Sequence, residues 1–301
     1  MTPTMRSLLS ALALALVALP AAAVEIRTAT GPASFDAPPK RVAVFDLAAL
    51  DTLERLGVAP VGVPNQLYLP EFKRIAAKAA PVGTLFEPDL EALNAAEPDL
   101  VIVGSRSSPR AAATRRVAPT IDMTITGADL IAQAEERLAA YGALFGKEAE
   151  AAAAKAELDA AVAKAREAAA GKGSALILMT NGPKITAYGA NSRFGWMLNS
   201  LGLTSAIGGS QSTPHGESVS FEFVAKANPD WLIVIDRAAA IGANDQNAKA
   251  TLDNELVAGT TAWKKKQVVY LPAADVYIAA GGVQATGRVL ARLTKAFSGA
   301  E

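Results

Sequence analysis

Cysteine is absent from this 301-residue chain, and histidine occurs once. The first absence excludes a disulfide framework, thiolate metal sites and a lipidated cysteine as membrane anchor. The second leaves no histidine-rich metal cluster and a single imidazole to act as a general base. An excess of either charge is also missing, with 29 Lys and Arg against 29 Asp and Glu. Nothing in that balance would hold nucleic acid or an anionic membrane, so any anion site must be a local cluster of arginines. Long hydrophobic runs are lacking too. The apolar stretch at residues 8–19 falls short of the roughly 20 residues that a membrane span requires.

That stretch follows Arg6 and precedes Pro20 and three alanines. A basic start, a short apolar middle and a small-residue end are the layout of a secretory signal, here cleaved after Ala23. The mature chain is expected to be soluble and exported without an anchor, in a bacterial periplasm or as a secreted product. It is long enough to be stabilised by its core alone.

Short apolar runs recur at residues 42–45, 100–103, 175–179, 232–235 and 268–271, bounded by Pro, Gly or charge. Helix-type segments rich in Ala, Leu, Glu and Lys separate them. This alternation predicts α/β sheets covered on both faces. Residues 147–172, KEAEAAAAKAELDAAVAKAREAAAGK, lack proline and carry charges three and four apart. They predict a stiff helix ending near Gly171 and joining two lobes. The expected division is a signal at 1–23, a first α/β lobe at 24–146, a connecting helix at 147–171 and a second α/β lobe at 172–301.

The lobes carry an internal repeat. EALNAAEPDLVIVGSR (91–106) and EFVAKANPDWLIVIDR (222–237) align without a gap at an offset of 131, with seven of sixteen positions identical. Each copy is a short helix opened by Glu91 or Glu222, a Pro-Asp break, a buried strand and then Arg106 or Arg237. Ligands of open α/β sheets bind beyond the carboxyl ends of strands, so two lobes would each aim an arginine at the cleft between them. Arg110 shares the first loop; Arg106 is preferred because it matches Arg237. Further candidates lie on connecting segments: Arg193 in YGANSRFG, His215 in STPHGES and Tyr277 in DVYIAAGG. Arginine takes anionic oxygen and stacks on aromatic rings. Histidine and tyrosine phenolate ligate metals, phenolate being suited to ferric iron. Taken alone, His215 reads as an ordinary loop hydrogen-bonder. Ser212 and Ser218 beside it raise a hydrolase reading, against which stands the lack of a G-x-S-x-G elbow.

GANSRFGWMLNSLGL, HGESVSFEFVAKANPDWLIVIDR, TLDNELVAGTTAWKKKQVVYL and VYIAAGG, in this order and spacing, resemble the periplasmic binding proteins for ferric catecholate (enterobactin-type) siderophores. Those are the helical-backbone, or class III, substrate-binding proteins of ABC importers, and the resemblance spans nearly the whole mature chain. It implies that Arg106, Arg193 and Arg237 lie beneath an anionic iron–catecholate complex. It implies that His215 and Tyr277 complete the coordination of Fe(III) when the siderophore leaves two positions open, with the histidine loop closing as a flexible arm. It implies that Glu91 and Glu222 dock on arginines of an inner-membrane permease served by its ATPase. No cofactor of its own, no nucleic acid and a monomeric state are expected. The rival cargoes on the same fold are hydroxamate siderophores, haem and cobalamin, which would not demand three arginines.

Overall fold

A computed structural model of the chain describes residues 23–126, 129–208 and 213–299. Residues 1–22 of the expected export signal lie outside the described residues, as does Ser212 with the rest of 209–212. Strands β1 (Val24–Thr28) and β2 (Gly31–Phe35) form an antiparallel hairpin that packs on the helix Leu130–Phe145. Strands β3 (Val42–Val44), β4 (Gly62–Val63), β5 (Ala80–Pro81), β6 (Leu100–Val103) and β7 (Thr120–Asp122) make a wholly parallel sheet in the order β5-β4-β3-β6-β7. The second sheet contains β8 (Ser174–Asn181), β9 (Lys184–Tyr188), β10 (Thr204–Ser205), β11 (Glu217–Val219), β12 (Trp231–Asp236) and β13 (Val268–Tyr270). Its order is β11-β9-β8-β12-β13, with β10 also paired to β8. The result is two α/β lobes, each a central sheet flanked by helices.

The apolar runs are continuous because both faces of each central strand are buried. In β8, Ala175 and Ile177 face a core shared by the two lobes, while Leu176 and Leu178 face an outer core belonging to the second lobe. In β6, Leu100 and Ile102 join the shared core, and Val101 and Val103 an outer core of the first lobe. The period-two alternation of a strand sends successive side chains to opposite sides, so an unbroken apolar run fills two cores at once.

A helix at Glu148–Ala169 links the lobes. Its 22 residues span about 33 Å. Ala151, Ala154, Leu158, Ala165 and Ala169 form its buried stripe. Glu157 pairs with Arg55, and Lys155 with Glu135, both on first-lobe helices. Nearer its end, Arg166 donates to the Ser200 carbonyl of the second lobe at 2.8 Å. The C-terminal helix Val283–Phe297 lies against it and against the first-lobe helix Leu47–Arg55.

That last contact is a helix cap supplied from the other lobe. The N-cap of the C-terminal helix is Gly282, which has no side chain to offer. Asp51 Oδ2 accepts from Gln284 N at 2.7 Å and Ala285 N at 3.0 Å, and Thr52 Oγ1 from Val283 N at 3.2 Å. The free N–H groups of the first turn are thus satisfied by the first lobe. Arg288 joins Asp51 to Asp275 at 3.0 and 2.8 Å. The two glycines of AAGG allow this approach: a Cβ on Gly281 (φ 89°) would meet Ile125 at 2.4 Å, and one on Gly282 would meet Asp51 at 2.7 Å.

The repeat is structural as well. Asp99 accepts from Lys40 N and Arg41 N and so fixes the entry to β3; Asp230 accepts from Ser174 N at the start of β8. The helices before them, Leu90–Ala95 and Phe221–Ala227, end at Glu97 and Asn228, both with positive φ and both at the 131-residue offset.

Candidate functional site

The order of the first sheet reverses between β3 and β6, and a crevice opens beyond their carboxyl ends. Asp46 follows β3 and N-caps the next helix by accepting from Ala48 N at 2.8 Å. Arg106 follows β6. Ser105 before it has φ 50°, a left-handed conformation uncommon outside glycine, and its N–H donates to Thr124 Oγ1 at 2.8 Å. In the second lobe, Asn181 ends β8 and Arg237 follows β12, whose last residue Asp236 caps the helix that Arg237 opens. Tyr277 ends the one-turn helix Ala273–Tyr277 after β13.

Three guanidinium groups surround the Tyr277 ring. The Cζ atoms of Arg106, Arg193 and Arg237 lie 4.9, 5.1 and 5.8 Å from its centroid. Arg106 Nη2 donates to the Tyr277 carbonyl at 2.8 Å, so this arrangement crosses the cleft. Arg237 Nε donates to the Tyr277 hydroxyl at 3.1 Å while its Nη1 donates to Asn181 Oδ1 at 2.9 Å. Burial is the largest single influence on the phenol and pushes it up. The hydrogen bond and charge of Arg237, with the charges of Arg106 and Arg193, together outweigh it and hold Tyr277 below the ordinary tyrosine value. Arg193 is shifted down, first by burial and then by the like charge of Arg106. Tyr188, buried beside them and edge-on to Phe194 at 4.7 Å, is pushed by burial up to about 12.

Arg193 is held by a compact turn. Ser192 is fully buried and its Oγ donates to the Gly189 carbonyl at 2.7 Å. Arg193 N donates to the Pro214 carbonyl at 3.1 Å, which ties this turn to the histidine turn. His215 is exposed at the third position of a β-turn closed by Gly216 N donating to the Thr213 carbonyl at 3.0 Å. Thr213 Oγ1 donates back to the Gly216 carbonyl at 2.9 Å. Around the histidine itself the loop is therefore a braced turn, with Pro214 at the position that fixed φ favours.

Arg106, Arg193, His215 and Tyr277 line one cleft of about 360 Å³, with Asp46 and Ile125 among its other walls. Arg237 reaches it through the Tyr277 hydroxyl. Arg110 is engaged elsewhere: it donates to the Phe86 carbonyl at 3.0 Å and pairs with Glu87. Glu91 and Glu222 are both exposed at the second position of their helices. Ser218 is part of β11. Reading the sequence missed Asp46 and Asn181, although each directly follows or ends an apolar strand, the same signal that marked the arginines. Burial pushes the Asp46 carboxyl up, partly offset by the backbone N–H groups of Ala48 and Ala49 and then by the charge of Arg106. Among the described residues, no three His, Cys, Asp or Glu side chains converge on a metal position.

The profile of the periplasmic binding protein family matches residues 42–274. The petrobactin-binding protein YclQ of Bacillus subtilis is 34% identical over 258 residues, covering 84% of this chain and 80% of that protein. The ferric-anguibactin-binding protein FatB of Vibrio anguillarum is 28% identical over 270 residues, covering 86% and 83%. The crystal structure of the periplasmic catecholate-siderophore binding protein VctP of Vibrio cholerae superposes with a TM-score of 0.83 at 30% identity, covering 90% of this chain and 99% of that one.

Proposed function

The chain belongs to the periplasmic binding protein family, and on that footing we propose that it captures ferric complexes of catechol-bearing siderophores between its lobes and delivers them to an ABC permease. It is a binding protein, not an enzyme. One observation carries the choice of cargo: three guanidinium groups crowd around a single tyrosine. Buried like charges repel, and an anion entering the cleft relieves that repulsion where little water screens it. A ferric complex of two catecholates carries one negative charge, and a complex of three carries three. The relatives named for petrobactin, anguibactin and catecholate siderophores support an iron complex of this type.

In this reading Arg106, Arg193 and Arg237 bind the anionic complex. Tyr277 and His215 fill the two positions that a tetradentate siderophore leaves open on Fe(III), the metal arriving as cargo. A phenol already lowered by its arginines gives up its proton more readily to ferric iron. Glu91 and Glu222, one on each lobe, dock on a permease whose two-fold symmetry meets two equivalent surfaces. The reading extends to a periplasmic, unlipidated monomer released by cleavage after Ala23.

Tryptophan-quenching titrations with ferric tris-catecholate, bis-catecholate and hydroxamate complexes test it. The catecholates are expected to bind tightest. Equal affinity for the hydroxamate complex would defeat the choice of cargo.

A further inference from the structure

The far end of the second sheet carries another cleft. It lies where β12 and β13 begin and has a volume of about 730 Å³. Trp231 opens the six-residue strand β12 on its wall, and Arg237 follows the last residue of that strand. Six strand residues span about 20 Å, so the two clefts lie at opposite ends of one sheet. Lys172, Lys265, Lys266, Arg292 and Lys295 line the far one, and among the described residues no aspartate or glutamate does. Trp231 and Phe297 form part of its apolar wall, packed edge to face with ring centroids 4.7 Å apart.

Five cations in one pocket need a reason in a chain whose charges cancel overall. Lysine is favourable at helix C-termini, and three helices end here: Glu148–Ala169, Thr261–Lys264 and Val283–Phe297. Each end supplies roughly half a negative charge at most, so together they fall well short of five. Carboxylates do not make up the difference. Among the described residues, none of the five cations forms an ion pair. Asp230 feels the charge of Lys265, but its Oδ2 is committed to Ser174 N and Oγ at 2.8 and 3.0 Å. Arg292 is fixed by its Nε, which donates to the Tyr270 carbonyl at 3.1 Å. Lys266 has φ 58°, a left-handed conformation for which glycine or asparagine is the ordinary choice. Its N–H closes the preceding helix on the Trp263 carbonyl at 3.0 Å. The chain thus keeps a lysine on the pocket where a glycine would be less strained.

We propose that this pocket binds a compact polyanion carrying two or more phosphate groups. Four of the five cations are lysines. Lysines act as point charges that meet tetrahedral phosphate oxygens from any side, whereas flat carboxylates are matched better by the arginine fork. Like charges gathered in a concave site focus the field on an incoming anion. The volume is that of a small-molecule site. The phosphates can be free in solution or belong to the head group of a diphosphate lipid, since the same lysines serve both. The proposal does not depend on what the interlobe cleft carries.

The test is calorimetric titration of the whole protein with sodium tripolyphosphate at low and at physiological salt. Binding of one molecule is expected, weakening as salt rises. The double variant Lys265→Gln, Lys266→Gln is expected to bind about tenfold more weakly. The double variant Lys73→Gln, Lys78→Gln removes the same charge from the first lobe and should bind as the parent does. A change in tryptophan emission on binding should vanish in Trp231→Phe. Lys266→Gly should weaken binding yet raise the melting temperature, a combination that a merely structural lysine would not give. Cardiolipin vesicles distinguish the source of the phosphates. If they capture the parent but not Lys265→Gln, Lys266→Gln, while tripolyphosphate fails to bind, the site stands and its ligand is a lipid head group. The proposal is overturned if neither probe binds, if inorganic sulfate binds as tightly as tripolyphosphate, or if the two double variants lose affinity equally.

Discussion

Arg106 crosses the cleft to Tyr277: its Nη2 donates to the tyrosine's backbone carbonyl, 171 positions further along the chain, at 2.8 Å. The same guanidinium lies over the tyrosine ring at 4.9 Å. A planar fork does both at once, whereas an ammonium group is a point charge without the flat stacking surface. The two lobes thus share a cationic, aromatic junction.

Arg106→Ala is expected to weaken binding of ferric catecholates roughly ten- to a hundredfold, the range for losing charge-assisted contacts. Arg106→Lys should recover only part of it. Arg110→Ala, whose guanidinium is paired with Glu87, should bind as the parent does. Fluorescence titration of the three variants checks this. A loss confined to Arg110→Ala would reassign the first-lobe anion ligand.

Tyr277→Phe and His215→Ala are expected to weaken tetradentate ferric complexes and shift their charge-transfer absorption. Hexadentate complexes, with no vacant position on iron, should bind as before. An unchanged visible spectrum for the tetradentate complex of His215→Ala would rule out direct ligation by the imidazole.

The phenol of Tyr277 is held low by its arginines, chiefly Arg237. Ultraviolet titration of the ligand-free protein should show one tyrosine ionising before the ordinary range, well ahead of Tyr188 at about 12. Arg237→Gln keeps a donor but removes the charge, and should move that early ionisation upward. No change in this variant would place the early titration elsewhere.

Asp51 gives a pH signature of the interlobe contact. Burial pushes its carboxyl up to about 6 although Arg288 and two helix N–H groups oppose the rise. The folded protein therefore holds this proton more tightly than the unfolded chain does. The associated stability is fully present below pH 3.8 and is lost as pH rises through about 6. Relative to Asp51→Asn, the parent is expected to lose about 3 kcal/mol across that window. Denaturant unfolding of both proteins at a series of pH values measures the difference. A difference independent of pH would show that Asp51 stays ionised throughout.

The central strands were legible in the sequence because burial on both faces leaves an unbroken apolar run. β9 and β11 were not, since KITAY and ESV lie toward the edge of the second sheet and carry half-polar patterns. Arg106 and Arg237 could be found through the repeat, which ties a residue to a strand end without any structure, and Arg193 through its Gly-bounded connecting segment. Asp46 and Asn181 escaped because neither is matched across the lobes: at the 131-residue offset their counterparts are Ile177 and Leu50, both apolar. The pair Gly281-Gly282 could be read as a turn, but its purpose depends on Ile125 and Asp51, which only folding brings near.

The cap on the C-terminal helix also sets an order of events in the life of the chain. Asp51 is fully buried, and its partner Gln284 follows 233 residues later. During synthesis the first lobe emerges long before the groups that satisfy this carboxylate exist. Closing such a distant contact makes completion of the first lobe wait for nearly the whole polypeptide. Loss of the last helix would therefore leave a buried carboxylate of the first lobe without the N–H partners that satisfy it.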